Sequence, residues 1–388
     1  MTLALPRFQD QLRQLVALPS VSSTSKRWDM GNRKVVELLG TWLEDLGFVT
    51  ELIPLPEHPD KANLIATRGR GPGGLVLAGH TDTVPYDDNQ WQHDPFKLIE
   101  RNNKFYGLGA TDMKGFFPVA LAAIEAFRDA ELQQPLIVLA TADEESSMSG
   151  ARQLVALGKP KARFAVIGEP TGLTPVRMHK GIMMEAVRIK GTAGHSSNPA
   201  LGNSALEAMH KVMADLLALR QELQSKYQHG GFAVPHPTLN LGHIHGGDNP
   251  NRICGNCELH FDLRPLPGMT NDEMRQLIRA RLSPIEAATQ TKISLHSLIA
   301  GVDPYEEDAQ SALVKAAEKL SGATAESVAF ATEAPWLQKL GMETVVFGPG
   351  SIDQAHQPDE YIDLAQIQPG IAAVRGLIQQ FCVQAACP

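Results

Sequence analysis

Hydrophobic residues are arranged in two different ways along the chain. Over most of it, short runs of apolar and β-branched residues alternate with stretches in which apolar residues recur at helical spacing, as between residues 115 and 130. The short runs occupy residues 63–67, 75–79, 136–140, 164–168 and 344–348. Continuous apolar runs are typical of strands that are buried on both faces. This pattern predicts an α/β fold with a mixed, mostly parallel sheet.

The pattern changes between residues 182 and 299. There it predicts, in order, a strand, a helix, two strands, a helix and a strand, at residues 184–189, 203–217, 238–244, 258–264, 271–282 and 292–298. The order β-α-β-β-α-β is that of a ferredoxin-like unit. We therefore predict one domain made of residues 1–181 and 300–388, interrupted by an inserted domain of residues 182–299.

Charge, hydropathy and cysteine content argue against nucleic acid, a membrane and a structural zinc site as partners. Lys and Arg number 35 against 43 Asp and Glu, and this net charge of −8 gives no reason to expect nucleic acid or another polyanion. The sequence has no basic leader followed by an apolar run and no apolar window of about 18 residues, so we expect a cytoplasmic protein without membrane contact. Cys254 and Cys257 lack the second ligand pair of a structural zinc site, which favours ordinary strand residues.

Possible metal ligands follow four of the predicted strands. His80 follows the strand at 75–79, Glu144 and Glu145 follow the strand that starts at residue 136, and Glu169 follows the strand at 164–168. The strand at 344–348 leads through a short loop to His356. Each residue by itself is typical of a solvated charge or a core histidine. Because the carboxyl ends of strands in an open α/β sheet collect chemistry, the four together predict a metal site.

Spacing within the motifs indicates different roles. His80 and Asp82 are two residues apart, so in an extended chain the Asp82 carboxylate could accept the second ring N–H of His80. Glu144 and Glu145 are adjacent, and in strand geometry their side chains diverge, so one could bind metal while the other handles protons. Asp112 precedes a predicted helix and either bridges two ions or caps the helix. Imidazoles and carboxylates without a thiolate favour zinc, cobalt or manganese.

Six motifs occur in a fixed order along nearly the whole chain. They are GHTDTVP (79–85), GATDMKG (109–115), TADEE (141–145), GEPT (168–171), GHSS (194–197) and QAHQP (354–358). In sequence and order they resemble the co-catalytic zinc amidohydrolase and peptidase family, which includes acetylornithine deacetylases, succinyl-diaminopimelate desuccinylases, aminoacylases and glutamate carboxypeptidases. The resemblance implies a zinc-peptidase-like catalytic domain interrupted by a lid domain, through which a homodimer could form. It also implies a cis peptide after Asp112.

The resemblance further implies two Zn²⁺ ions per chain, for which Co²⁺ could substitute. One ion would take His80 and Glu169, the second would take Glu145 and His356, and Asp112 would bridge the two.

Roles in catalysis also follow from the resemblance. Glu144 would be the general base, with Asp82 supporting the metal centre and His195 of the lid donating a hydrogen bond to the oxyanion. Asn251 and Arg264 would contact the substrate. The residues alone leave two of these roles open, because His195 could be a plain surface histidine and Arg264 a salt-bridge partner at a strand end.

Three segments, at residues 170–181, 332–335 and 348–361, resemble the acetylornithine deacetylase branch most. They imply hydrolysis of a small N-acetyl amino acid, N2-acetyl-L-ornithine, to L-ornithine and acetate in arginine biosynthesis. Related N-acyl amino acid amidohydrolases, desuccinylases and dipeptidases are the nearer alternatives. A non-hydrolytic metal-binding module is the alternative of a different class, and the presence of Glu144 beside the ligands argues against it.

Overall fold

The computed structural model describes residues 7–87 and 89–384, and the chain divides into two compact units. The first unit comprises Met1–Arg177, Glu307–Glu326 and Thr332–Pro388, and the second comprises Met178–Glu306 and Ser327–Ala331. The predicted boundaries after residues 181 and 299, and the roles of catalytic and lid domain, stay predictions.

Strands and helices alternate along most of the chain. The strands are β1 Val49–Leu55, β2 His58–Arg68, β3 Leu75–His80, β4 Ile99–Arg101, β5 Lys104–Tyr106, β6 Leu136–Thr141, β7 Phe164–Ile167, β8 Val176–His179, β9 Met183–Lys190, β10 Thr238–Gly246, β11 Asn256–Arg264, β12 Lys292–Ser297, β13 Tyr305–Glu306, β14 Glu326–Val328, β15 Glu343–Val346 and β16 Tyr361–Asp363. The α-helices are α1 Phe8–Val16, α2 Arg33–Asp45, α3 Phe116–Glu125, α4 Ser149–Leu157, α5 Ala205–Lys226, α6 Asn271–Thr289, α7 Ala312–Ser321, α8 Ala334–Lys339 and α9 Ile367–Ile378. Short 3₁₀ helices occupy Pro199–Leu201, Ile352–Gln354 and Leu364–Gln366, and a π-helix occupies Gln379–Val383.

The main sheet of the first unit has the strand order β1-β2-β6-β3-β7-β15-β8. Its four central strands, β6, β3, β7 and β15, are mutually parallel, whereas β2 and β8 run antiparallel to their central neighbours. Every residue of β3, β6 and β7 is buried, as the continuous apolar runs predict for strands covered on both faces. The prediction of a mixed, mostly parallel sheet is confirmed. A small sheet, β16-β5-β4, lies in the same unit.

Helix α3 is shorter than its pattern predicts. The apolar spacing extends to residue 130, but the helix ends at Glu125 and the chain continues in tight turns. Arg68 donates hydrogen bonds to the carbonyl groups of Phe127 and Ala130, which lie in the turns after the helix. The prediction that the helix reaches residue 130 is wrong.

The second unit contains β9, α5, β10, β11, α6 and β12 in the predicted ferredoxin-like order. Its sheet is antiparallel with the order β10-β11-β9-β12. Alternate residues of β11 are buried, including Cys257, which confirms that this cysteine is a strand residue. Cys254 is also buried, but it lies two residues before β11, so the prediction is wrong for this cysteine. Helix α6 starts with a capping box in which the side chains of Thr270 and Glu273 bond to each other's backbone N–H groups. Among the described residues, no helix is long and apolar enough to cross a lipid bilayer.

Candidate metal centre

The parallel strands place the predicted ligands at one edge of the main sheet. Strand β3 ends at His80, β6 is followed by the turn that carries Glu144 and Glu145, and β7 is followed by Glu169. The loop after β15 leads to His356, which has a φ of 59°. Because these four strands are parallel and adjacent, their carboxyl ends meet at the same edge.

Contacts of 3.1–3.9 Å link the five side chains in pairs. The Nε2 atom of His80 is 3.1 Å from Oδ1 of Asp112 and 3.9 Å from Oε1 of Glu169. The Nε2 atom of His356 is 3.1 Å from Oε2 of Glu145 and 3.4 Å from Oδ2 of Asp112. Each carboxylate oxygen of Asp112 therefore faces a different imidazole, as a ligand shared by two ions requires.

Burial and mutual contacts shift the pKa values of the carboxylates and of His356 at this edge of the sheet. Burial raises the pKa of Glu169 well above its usual range, and it also raises the pKa of Glu145, in both cases with help from neighbouring carboxylates. Burial opposes ionisation of Asp112, but hydrogen bonds from His356 and His80 hold its pKa well below the usual range. Hydrogen bonds to Asp112 and Glu145 raise the pKa of His356 to about 10.

This donor set fits divalent metal ions. One donor atom each from His80, Asp112 and Glu145 lies within 4.8 Å of the others, and such a group could hold a metal ion. Buried carboxylates whose pKa values are raised by each other are stabilised by a bound cation. Nitrogen and oxygen donors without sulfur suit zinc, cobalt or manganese.

Asp143, which precedes Glu144 and Glu145, stabilises the turn after β6. Asp143 has a φ of 66°, and its carboxylate accepts hydrogen bonds of 2.6 Å from Lys61 and Ser22 and of 2.8 Å from Ser149. Strand geometry, in which the side chains of Glu144 and Glu145 would diverge, does not continue through Glu144, because β6 ends at Thr141 and these side-chain bonds stabilise a turn. Asp143 fixes the turn that presents the two glutamates.

Glu144 itself is partly buried, next to Glu145 on the same turn. Burial raises the pKa of its carboxyl well above the usual range, and the negative charges of Glu169, Glu145 and Glu333 act in the same direction. A carboxyl group in such surroundings can hold a proton near neutral pH.

Asp82 contacts His80 differently from the sequence-based prediction. The Nδ1 atom of His80 is 3.0 Å from the main-chain oxygen of Asp82, whereas the nearest carboxylate oxygen is 3.9 Å away. The predicted bond to the Asp82 side chain is wrong, since β3 ends at His80 and extended alternation does not continue. The carboxylate instead accepts the backbone N–H of Glu145 at 3.0 Å, which ties the segment after β3 to the turn after β6.

Comparison with known proteins agrees with this geometry. Residues 76–380 match the family model of Peptidase family M20/M25/M40. The chain belongs to this family. Among curated relatives, the acetylornithine deacetylase of Erwinia tasmaniensis is 47% identical over 97% of this chain and 98% of its own. That of Proteus mirabilis is 47% identical over 99% of both chains.

Solved structures of the M20 family share the fold. A metallo-carboxypeptidase from Sulfolobus solfataricus has a TM-score of 0.75 at 19% identity and covers 97% of this chain and 99% of its own. A dinuclear metal-binding peptidase from Bacillus subtilis has a TM-score of 0.65 at 16% identity and covers 96% of this chain and 97% of its own. The predicted fold class and the predicted family of metal-dependent hydrolases are confirmed.

Two further buried glutamates contact the segments that carry the predicted ligands, and no sequence pattern indicates them. Glu333 accepts a hydrogen bond of 2.8 Å from the hydroxyl of Thr141, and burial raises its pKa to about 7. Glu360 accepts backbone N–H groups from the loop that carries Asp112. Neither glutamate directly follows one of the apolar strands predicted from the sequence, so these contacts become visible only in the folded structure.

The alternative role of Asp112 as a helix cap is wrong. Helix α3 begins at Phe116 with Gly115 at its N-cap, three residues beyond Asp112. The peptide bond between Asp112 and Met113 is cis, as the family resemblance implies.

The predicted catalytic residue of the second unit, His195, lies in an exposed turn. Its Nδ1 atom accepts the backbone N–H of Ser197 at 3.2 Å, so the neutral ring carries its proton on Nε2. Asn251 lies beside this turn, and its main-chain oxygen accepts the N–H of Ser196 at 3.0 Å.

Arg264 is paired within its own strand. Its Nε atom lies 2.9 Å from Oδ1 and 3.0 Å from Oδ2 of Asp262, which is the strand-end salt bridge that the sequence left open. Arg264 also lines a cavity of about 470 Å³, together with Lys180 and Phe232. Its contact with substrate stays a prediction.

Proposed function

We propose that this protein hydrolyses N2-acetyl-L-ornithine to L-ornithine and acetate, a reaction of arginine biosynthesis in the cytoplasm. The observation that supports this substrate is the sequence identity of 46–47%, over nearly the full length, with relatives named acetylornithine deacetylase. The clustered imidazoles and carboxylates support metal-dependent hydrolysis as the reaction class. We also propose a homodimer formed through the second unit, on the family resemblance.

Five residues would hold two metal ions, for which we propose zinc, with cobalt as a substitute. His80 and Glu169 would serve one ion, and Glu145 and His356 the other. Asp112 would serve both, a role supported by the positions of its two carboxylate oxygens opposite different imidazoles. When bound, such ions supply Lewis-acid chemistry that polarises a carbonyl group and lowers the pKa of water to about 7.

Glu144 would move the proton. Its carboxylate takes a proton from the water that attacks the acetyl carbonyl carbon, and it returns this proton to the amine as the C–N bond breaks. Its position on the turn beside Glu145 supports this role, because the turn is fixed by Asp143 and Lys61. Asp82 would keep the ligand segments aligned through its bond to the Glu145 backbone.

His195, Asn251 and Arg264 would act on the substrate. The bond from Ser197 selects the tautomer of His195 with a proton on Nε2, and that N–H is the donor that a developing oxyanion needs. We retain Arg264 as a carboxylate contact because its planar guanidinium has donors besides the Nε that faces Asp262.

The test is acetate release by zinc-loaded protein from a panel of substrates. The panel contains N2-acetyl-L-ornithine, other N-acetyl amino acids, N-succinyl-diaminopimelate and dipeptides. We expect the highest kcat/KM for N2-acetyl-L-ornithine. A higher value for another substrate would move the protein to one of the related activities, and metal binding without hydrolysis of any member would leave a non-hydrolytic module.

A further inference from the structure

The side chain of Glu360 lies buried between two segments of the metal centre. It is 2% exposed and stands four residues after His356, just before strand β16. Its Oε2 accepts the backbone N–H of Gly109 at 2.8 Å, and its Oε1 accepts those of Thr111 at 2.7 Å and Asp112 at 2.9 Å. One carboxylate therefore bonds to three peptide groups of the loop that ends at Asp112.

The main chain of Glu360 bonds to the same loop. Its carbonyl oxygen accepts the N–H of Gly107 at 3.0 Å, which continues the pairing of Tyr361 with Tyr106. The loop at residues 107–112 is a series of turns without strand partners of its own, yet it is buried. Buried N–H groups need acceptors, and three oxygen atoms of Glu360 accept four N–H groups of this loop.

We propose that Glu360 is a positioning residue of the metal centre, which sets the backbone of Asp112 against His356. The inference rests on the proposed function, because it requires that Asp112 and His356 hold metal. Glu360 fixes Asp112 at its backbone N–H, and it is linked to His356 through three intervening residues. The carboxylate of Asp112 is then held with Oδ1 3.1 Å from His80 and Oδ2 3.4 Å from His356.

The loop requires a carboxylate rather than an amide. Both oxygens of Glu360 accept N–H groups, whereas glutamine of the same shape offers one oxygen and one NH₂ donor. In Glu360→Gln, either the N–H of Gly109 or those of Thr111 and Asp112 would face another donor. In Glu360→Asp, both acceptors remain on a side chain that is one methylene shorter.

Glu307 provides a matched control in the same unit. It is also buried, and its carboxylate accepts the backbone N–H groups of Asp308 at 3.0 Å and Thr344 at 2.8 Å. Neither of these groups belongs to the loop at 107–112 or to the segment at 356–360. Glu307→Gln therefore matches the replacement of a buried acceptor oxygen by an NH₂ donor without touching the Asp112 loop.

The experiment measures zinc binding by competition with a chromophoric chelator for the parent and the three variants. We expect Glu360→Gln to bind zinc about 10–100-fold more weakly, the usual effect of removing a group that orients a ligand, and Glu360→Asp to lie between it and the parent. Glu307→Gln should keep the parent affinity. Hydrogen exchange of the metal-free proteins at residues 107–112 should be fastest in Glu360→Gln, intermediate in Glu360→Asp and parent-like in Glu307→Gln.

Two results would overturn the inference. One is parent-like zinc affinity in Glu360→Gln, and the other is an equal loss of affinity in Glu307→Gln, which would indicate general destabilisation. If Glu360→Gln does not fold, Glu360→Asp decides. Parent-like zinc affinity of this variant, together with parent-like hydrogen exchange at residues 107–112, would also overturn the inference. Failure of the parent itself to bind zinc would instead overturn the proposed function.

Discussion

Lys61 holds the turn that presents Glu144 and Glu145, and its removal should destabilise the first unit. Its Nζ atom is 2.6 Å from Asp143 and 2.7 Å from Asp29, with the Lys61 side chain 5% exposed and that of Asp143 7% exposed. Breaking a buried ion pair from one side costs about 3–5 kcal/mol. Asp143 still accepts hydrogen bonds from hydroxyl groups such as that of Ser22. For Lys61→Met we therefore expect the free energy of unfolding to fall by about 3 kcal/mol, the lower end of this range.

Urea unfolding of the intact chain, followed by circular dichroism, measures this loss. Much of the cost arises because the carboxylate of Asp143 stays buried without its cation, so the double variant Lys61→Met/Asp143→Asn should lose less than the sum of the single variants. We expect a coupling of roughly 1–3 kcal/mol. If Lys61→Met unfolds within about 0.5 kcal/mol of the parent, the ion pair does not hold the turn and this explanation of Asp143 fails.

Three further predictions concern metal, transition state and pH. Exhaustive chelation should abolish deacetylation and added zinc or cobalt should restore it, whereas full activity of stripped protein would contradict the metal centre. His195→Ala should lower kcat by about 10²–10³ with little change in KM or zinc content, and kcat within a factor of two of the parent would exclude an oxyanion role. Burial lowers the pKa of His179 to about 4 in the folded chain, from 6.5 for an exposed histidine. As the pH drops below about 6.5 the unfolded chain therefore binds a proton that the folded chain does not, and stability falls. Between pH 6.5 and 5 the free energy of unfolding should fall by about 1.5 kcal/mol for this reason, and urea unfolding of His179→Gln should lack this contribution.

The clustering of His80, Glu145 and Glu169 could be predicted because each follows a continuous apolar strand. Strands buried on both faces of an α/β sheet are mostly parallel, and the ends of parallel neighbours share an edge. This argument needs only local sequence and a general rule of topology. It cannot assign metal binding, which stays a prediction.

The contacts of Asp82, Asp143 and Glu360 could not be predicted in the same way. Each depends on where a backbone group from a distant segment lies, such as the N–H of Asp112 beside Glu360, 248 residues away in sequence. Likewise, apolar periodicity extends to residue 130, although helix α3 ends at Glu125. Local patterns predict which elements form, whereas some of their ends and the hydrogen bonds between loops are set only when the chain has folded.

The central claim is that Glu144 moves the proton while its neighbour Glu145 binds metal. The most direct measurement is zinc content together with kcat for N2-acetyl-L-ornithine in Glu144→Gln and Glu145→Gln. Glutamine keeps the shape of Glu144 but cannot take up the proton, so we expect about two zinc ions per chain and a kcat lower by about 10²–10⁴. Glu145→Gln should lose occupancy of one site. Loss of an ion from Glu144→Gln with both ions retained in Glu145→Gln would reverse the roles, and parent-like kcat in Glu144→Gln would contradict the mechanism.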